Sequence, residues 1–321
     1  ANVATLRAHI GTQKLMAVVK ADAYGHGATQ VAKHIETQVD ALAVAITEEA
    51  VPLREAGVAA PILVLEGPQS EDEISLMAEM ALWPTLHHNE QLSWFGRQAS
   101  PMTSSWLKID TGMHRLGFST ETLPQALSAL HAAGITDITL MSHLATAEHP
   151  EAELARLQQA RWREQLQGWS GAVSLHNSAA VRTGAAGASD WARLGYALYG
   201  GQIKGLPTDE ILRPAMRYTT SVLALRDVRR GESVGYGGRW VAQRDSRIAT
   251  LPVGYADGYP WAARDGTPIG IADHTAPLAG QVSMDMVTVD VTDCAHIEVG
   301  APAVLWGSQP LSLIHISEPT R

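Results

Sequence analysis

Over roughly the first 200 positions, apolar residues gather in short unbroken runs separated by stretches in which they recur every three to four residues. The runs are Leu15–Lys20, Ala41–Ile46, Pro61–Leu65, Leu82–Leu86, Ser105–Asp110, Ile138–His143, Ala172–His176 and Ala192–Leu198. Most are rich in Val, Ile and Leu and do not alternate cleanly with polar residues, which is how strands covered on both faces read. Helical periodicity fills Glu48–Ala56, Glu71–Glu79, Leu123–Ala133 and Ala152–Gln167, and Asn2–Ile10 shows it ahead of the first run. Gly57, Gly134 and Gly168 stand at or just past these helix ends, where a left-handed residue closes the last turn. Eight strands with intervening helices predict a (β/α)8 TIM-type barrel rather than a doubly wound sheet.

After Gly201 the helical period fades. Short strand candidates follow at Ser221–Asp227, Ile248–Pro252, Ala276–Leu278, Met286–Val291 and Ala303–Leu305. Turn pairs such as Arg230-Gly231, Asp257-Gly258 and Asp265-Gly266 punctuate them, so a mostly β C-terminal domain is expected. The expected organisation is an α/β barrel over residues 1–205 and a β-strand domain over 215–310. Pro207 and Pro214 flank the boundary between Gly205 and Arg217. The last residues, Leu311–Arg321 (LSLIHISEPTR), resemble translated adapter DNA and are read as a non-native tail outside the fold.

At 321 residues the chain exceeds one ordinary core, which agrees with two domains. Hydrophobic residues at 45% and charged residues at 18% are those of a globular protein. A net charge of −9 with no basic run argues against nucleic acid as a partner. Cys294 is the single cysteine, which excludes an intrachain disulfide framework and fits a cytoplasmic location. No apolar stretch reaches the length of a membrane span, and no signal peptide is visible.

The segment richest in chemistry is Ala17–Gly27, AVVKADAYGHG. Its lysine, Lys20, ends a buried strand at the barrel face that carries active sites. Partial desolvation there favours a neutral amine, which can form a Schiff base with an aldehyde. A lone strand-end lysine also fits simple snorkelling to solvent. Arg193 equally fits a surface ion pair, and Tyr24, Tyr255 and Tyr259 fit packing aromatics with a polar tip. His143 and His149 lack the carboxylate and histidine spacing of a metal site, so no metal is expected. Gly25 and Gly27 are too short a pattern for a dinucleotide fingerprint.

The order of further strings changes the weight of these readings. VVKADAYGHG is followed by KIDTGMHRLG (Lys108–Gly117), MSHLATAE (Met141–Glu148), HNSAA, ARLGYALYG (Ala192–Gly200), GYGGRW, LPVGYADGYP and GQVSMDM. In this order and spacing, from Ala1 to about Trp306, the chain resembles the alanine racemases, fold-type III pyridoxal-phosphate enzymes with an α/β barrel, a β domain and a homodimeric assembly.

The resemblance implies that Lys20 carries pyridoxal 5′-phosphate and is the base on the D-amino-acid face. It implies that Tyr236, from the partner subunit, is the base on the opposite face. Arg193 would meet the pyridine nitrogen, supported by His143. Tyr24, Ser178, Gly195 and Tyr196 would surround the phosphate, the last two through backbone N–H groups. Arg115 would contact the phenolic oxygen and the substrate carboxylate, and Lys108, often carbamylated in the family, would hold Arg115. Met284, also from the partner, would offer its backbone N–H to that carboxylate, and Tyr255 would line the entrance.

Two bases on opposite faces of Cα satisfy the stereochemistry of racemisation. An arginine that stays protonated leaves the ring nitrogen neutral, and the weaker electron sink discourages transamination. Against the family pattern, an opening strand before Ala1 and the end of the β domain, with a tyrosine that contacts the phosphate, are missing, and Ser283 stands where some members have cysteine. The implied activity is interconversion of L- and D-alanine, an isomerase reaction. The alternatives are a racemase of this fold with broader amino-acid preference and a non-catalytic pyridoxal-phosphate-binding barrel. The second base and the β domain disfavour the last.

Overall fold

Each apolar run of the first half forms a strand, and alternate residues of these strands fill a common interior. The computed structural model describes residues 1–97, 104–202 and 212–307. The sequence expectations at Gly205, Pro207 and 311–321 lie outside the described residues. The chain divides into two units, one built on Ala1–Tyr199 and the other running from Arg213 onward.

In the first unit the strands are β1 (Lys14–Val18), β2 (Ala41–Val44), β3 (Ile62–Val64), β4 (Leu82–Leu86), β5 (Ser104–Lys108), β6 (Asp137–Met141), β7 (Val173–Ser174) and β8 (Trp191–Leu194). They lie side by side in the order β7-β6-β5-β4-β3-β2-β1-β8, and every pairing is parallel. The ring closes where Arg193 N–H donates to His176 O at 2.9 Å and Asp190 N–H to Val173 O at 2.8 Å. Helices follow the strands: α1 (Asn2–Ile10) precedes β1, and α2 (Lys20–Gly25), α3 (Ala28–Ile35), α4 (Thr47–Glu55), α5 (Glu71–Glu79), α6 (Asn89–Gly96), α7 (Leu123–Ala132), α8 (Glu153–Gln165) and α9 (Ser178–Thr183) fall between later strands. The TIM-type barrel expected from the sequence is the fold.

Most strands end short of their apolar runs, and for three of them the local reason is visible. β1 stops at Val18 because Lys20 opens a turn of another hand. β7 is short because side chains take its donors: Asp190 Oδ2 accepts from Val173 N–H, and Ser189 Oγ accepts from Leu175 and His176 N–H. β8 ends at Leu194, and the rest of its run continues as a 3-10 turn over Tyr196–Tyr199.

The barrel interior is filled by Met16, Val18, Ala41, Ala43, Leu63, Trp106, Met141 and Trp191. These are alternate positions along their strands, as a packed barrel core requires. Trp106 lies against Trp83 at 6.1 Å and Trp191 at 5.5 Å between ring centroids. Only 1% of Trp106 is exposed, so its removal leaves a cavity that the surrounding strands cannot close. Trp106→Ala is expected to lower unfolding free energy by about 3–5 kcal/mol, read from denaturant midpoints. A loss under about 1 kcal/mol would mean that the indole does not support the interior.

The second unit is antiparallel. Strands β10 (Ala224–Val228), β13 (Ser246–Leu251) and β16 (Val287–Asp290) form one sheet. A second sheet has the order β15 (His274–Pro277), β14 (Pro268–Ile271), β17 (Pro302–Trp306) and β9 (Tyr218–Ser221). β11 (Ser233–Val234) pairs with β12 (Trp240–Val241). The run Ser221–Asp227 is not one strand, because the chain changes sheets within it. Val222 N–H bonds Ala301 O at 2.9 Å, and Leu223 N–H bonds Thr250 O at 2.8 Å. Leu251, Ile269, Ile271, Val289 and Leu305 lie in the core of this unit. No helix among the described residues is long and apolar enough to cross a membrane.

Candidate functional site

Parallel barrel strands all deliver their C-terminal ends to one face. There the first unit encloses a cavity of about 430 Å³, lined by Lys20 after β1, Glu66 after β3, Lys108 at the end of β5, His143 after β6, Asn177 and Ser178 after β7, and Arg193 and Gly195 around the end of β8. Tyr24, Arg115 and Tyr196 complete the part of the wall that matters here. All nine first-unit residues singled out in the sequence therefore meet in one place. The volume suits a small ligand.

Lys20 enters the cavity from an unusual backbone. Ala21, Asp22, Ala23 and Tyr24 have φ between 51 and 57°, so α2 is a single left-handed turn. Each such residue costs roughly 1–2 kcal/mol, and strain of this kind collects at functional sites. Hydrogen bonds over-determine the turn. Ala23 N–H donates to Val19 O at 2.8 Å, Ala21 N–H to Glu49 Oε1 at 2.7 Å, and Ala28 N–H to Asp22 Oδ1 at 2.6 Å. Glu49 Oε2 also accepts from Ala45 N–H at 2.7 Å, so one carboxylate ties the ends of β1 and β2 together. Tyr24 stacks on Tyr199 at 4.9 Å, and burial raises its phenol pKa.

Gly195 lies beneath this tyrosine: a Cβ there would come within 2.4 Å of the Tyr24 hydroxyl. Ser178 Oγ accepts from the N–H groups of Gly195 at 3.2 Å and Ala197 at 3.3 Å. Serine, glycine and tyrosine thus form a compact polar cradle. Asn177 caps the helix that carries Ser178, its Oδ1 accepting from Ala180 N–H at 2.9 Å.

The lining next to this cradle is basic. Arg193 is buried, donating to Ser174 Oγ, to Ser142 O at 2.5 Å and towards His143 Nδ1 at 3.4 Å. Burial brings its pKa down to about 10, so the guanidinium keeps its proton at neutral pH. His143 is held neutral, its pKa pushed down to about 3 by burial and then by the charges of Arg193, Lys108, Arg115 and Lys20. The Arg193 contact assigns Nδ1 as the acceptor. Lys108 falls from 10.5 to about 8 through burial and the nearby Arg193, Arg115 and Lys20, with Glu66 pulling weakly the other way. The cavity lining therefore holds Lys20, Lys108, Arg115 and Arg193 with neutral His143 and one carboxylate, Glu66, an arrangement built to receive anionic charge.

Glu66 and Asn177 were not singled out in the sequence. Their signal was positional, since both follow strands at the active face of the barrel.

The second unit carries the remaining three candidates. Tyr236 lines a cavity of about 450 Å³ with Gln281, Ser283 and Met286. Tyr255 N–H donates to Ser283 O at 3.1 Å, and Ala256 N–H to Met284 O at 3.0 Å. Gly254 makes this approach possible, because a Cβ there would stand 2.1 Å from Met284 O. Tyr236, Met284 and Tyr255 are 74%, 53% and 42% exposed within the single chain, and Trp261, whose carbonyl accepts from Gln281 Nε2, is 62% exposed. Large hydrophobic side chains grouped on a surface mark an interaction site. Among the described residues no group of histidine, cysteine or carboxylate side chains forms a metal site.

A parallel barrel whose active face gathers a lysine on a strained turn with Lys108, Arg115 and Arg193 has the arrangement of an anion-binding barrel site. The family description "Alanine racemase, N-terminal domain" matches residues 1–203, and "Alanine racemase, C-terminal domain" matches 215–319. The chain belongs to the alanine racemase family and is an isomerase of the racemase class. An alanine racemase of Xanthomonas campestris pv. campestris is 43% identical over 95% of this chain and 86% of its own length. The biosynthetic alanine racemase of Pseudomonas aeruginosa superposes with a TM-score of 0.90 at 39% identity, covering 96% of this chain and 87% of that one. A histidine racemase of Leuconostoc mesenteroides subsp. sake shares the architecture at 26% identity and a TM-score of 0.81, covering 97% and 87%.

Proposed function

We propose that this chain interconverts L- and D-alanine, using pyridoxal 5′-phosphate attached to Lys20, in a homodimer whose active sites are shared between subunits. The observation that carries the reading is the cavity that gathers Lys20, Lys108, Arg115 and Arg193 with the cradle around Gly195. A phosphorylated pyridine aldehyde fits it. The lysine supplies the amine, Ser178, Tyr24 and the backbone N–H groups of Gly195 and Tyr196 suit a phosphate, and buried Arg193 suits a ring nitrogen. When bound, the cofactor supplies an electron-withdrawing ring that weakens the Cα–H bond of an attached amino acid.

The chain's own residues do the rest. Lys20 takes or returns the Cα proton on the D face, and Tyr236 of the second subunit does so on the L face. Arg193 stays protonated, supported by neutral His143, and so keeps a ring nitrogen unprotonated and the sink weak. Arg115 orients the substrate carboxylate together with the backbone N–H of Met284, and Tyr255 narrows the entrance. The exposed side chains of Tyr236, Met284 and Trp261 support a partner surface, since they would otherwise stand in water.

A second reading, a racemase of broader preference, is favoured by the histidine racemase built on the same architecture. A panel of L-amino acids assayed for D-product separates the two. Alanine is expected to lead by about 10-fold or more in kcat/KM, since one extra methylene in a tight pocket costs that much. A larger amino acid turned over faster would overturn the alanine assignment.

We further propose that Lys108 carries a carbamate. Its surroundings are cationic, and its lowered pKa supplies the neutral amine that attacks carbon dioxide; Nζ–C bond formation releases a proton and leaves an anion beside Arg115 and Arg193. The bare amine opposes folding below about pH 8, where it is charged, and this penalty fades as pH rises towards 10.5. Labelled bicarbonate at about pH 8.5 should give a carbamate ¹³C resonance and raise Tm, and Lys108→Arg should lose both. A resonance unchanged in Lys108→Arg would contradict this.

A further inference from the structure

Tyr236, the proposed second base, sits on a segment with little stiffness of its own. Gly235, Gly237 and Gly238 around it have φ of 77, 67 and 57°, and the tyrosine is 74% exposed. A general base displaced by about 1 Å loses up to about 100-fold in rate, so something must hold this loop.

The next residue along, Arg239, spends its guanidinium on nearby segments of the same unit. Its Nε and Nη2 donate to the two oxygens of Asp265 at 3.0 and 3.1 Å, and Nη2 also donates to Gly280 O at 3.0 Å and Ala263 O at 3.3 Å. Nη1 donates to Gln281 Oε1 at 2.9 Å, and Gln281 Nε2 in turn reaches Trp261 O at 3.2 Å. Asp265 Oδ1 also accepts from Gly280 N–H at 2.7 Å. A partly exposed ion pair ordinarily contributes little to stability, and stability alone does not call for so many bonds. What they share is position: they join the Tyr236 loop, the segment after Tyr255 and the segment leading to Met284.

We infer that Arg239 and Asp265 form a positioning pair that fixes Tyr236 for proton transfer on the L face and sets its register to Met284. This inference rests on the assignment of Tyr236 as second base. Planar, bidentate geometry is the reason for arginine, because lysine cannot donate in several fixed directions at once.

The test compares Arg239→Met, Arg239→Lys and Asp265→Ala with Tyr236→Phe in the holoenzyme. Two quantities are read: solvent-deuterium incorporation at Cα of L-alanine and of D-alanine, each at initial rate, and backbone amide exchange over residues 235–240 of the protein as isolated. Tyr236→Phe should abolish exchange of L-alanine and spare exchange of D-alanine. Arg239→Met and Asp265→Ala should lower the L-to-D exchange ratio by about 10- to 100-fold, with Arg239→Lys falling short of rescue. Amides of 235–238 should exchange faster in all three. If Tyr236→Phe collapses the ratio while the pair variants leave it unchanged, or lower both rates together, the pair only supports the fold and the inference fails. If Tyr236→Phe itself leaves the ratio intact, the base assignment fails and takes the inference with it. Unchanged amide exchange in the pair variants also overturns it. Should Arg239→Met or Asp265→Ala not fold, Asp265→Asn keeps an acceptor for Gly280 N–H while removing the charge, and the same two readings decide.

Discussion

Lys20→Ala is expected to lower racemisation by at least about 1000-fold, equally in both directions. Lys20 has two proposed duties, holding the cofactor's aldehyde and moving the proton on the D face, and alanine performs neither. The proposed phosphate cradle of Ser178 and Gly195 and the buried Arg193 remain, so the cofactor should still bind, without a covalent link. Exchange of the D-alanine Cα proton should fall with racemisation, since the alanine side chain offers no base for that face. Added methylamine should restore a small part of the rate if the site is intact apart from its amine. Rates within about 10-fold of the unaltered protein would move the covalent role elsewhere in the cavity, with Lys108 the next amine to consider.

Mixing Lys20→Ala with Tyr236→Phe carries the second large effect, because two inactive proteins should yield an active one. In the proposed shared-site arrangement each active site takes Lys20 from one subunit and Tyr236 from the other, and isologous symmetry gives two such sites per dimer. Random exchange makes about half of the dimers mixed, and each mixed dimer holds one intact site and one with both lesions, so recovery approaches roughly a quarter of the unaltered activity. The exposed positions of Tyr236 and Met284 within the single chain are the structural motive. Absence of recovery, with mixed dimers verified by mass, would mean that each subunit builds its own site.

The barrel was legible in the sequence because its strands are covered on both faces and read as continuous apolar runs between periodic helices. The left-handed turn at Ala21–Tyr24 was not. Of its residues only Asp22 belongs to a type enriched in that conformation, and the bonds that hold it come from its flanking residues Val19 and Ala28 and from Glu49 on another helix. The change of sheet at Val222 and Leu223 was hidden for a related reason, since an apolar run does not reveal which partner takes each N–H. Candidate site residues came from the order of the motifs, and their gathering in one cavity depends on a barrel closure that spacing alone does not specify. Glu66 escaped because a single strand-end carboxylate has no motif around it. In the second unit, Tyr255 and Met284 meet through the missing side chain of Gly254, a steric fact that appears only in three dimensions.

The central claim is that Lys20 is the point of covalent attachment. Borohydride reduction of the holoenzyme, followed by proteolysis and peptide mass measurement, tests it most directly, since hydride addition to a Schiff-base carbon converts it to a stable secondary amine. The account predicts one modified peptide, carrying the reduced pyridoxyl phosphate on Lys20 of the segment Ala17–Gly27, with loss of the visible absorbance on reduction. A reduced adduct on Lys108 or any other lysine, with Lys20 unmodified, would contradict it.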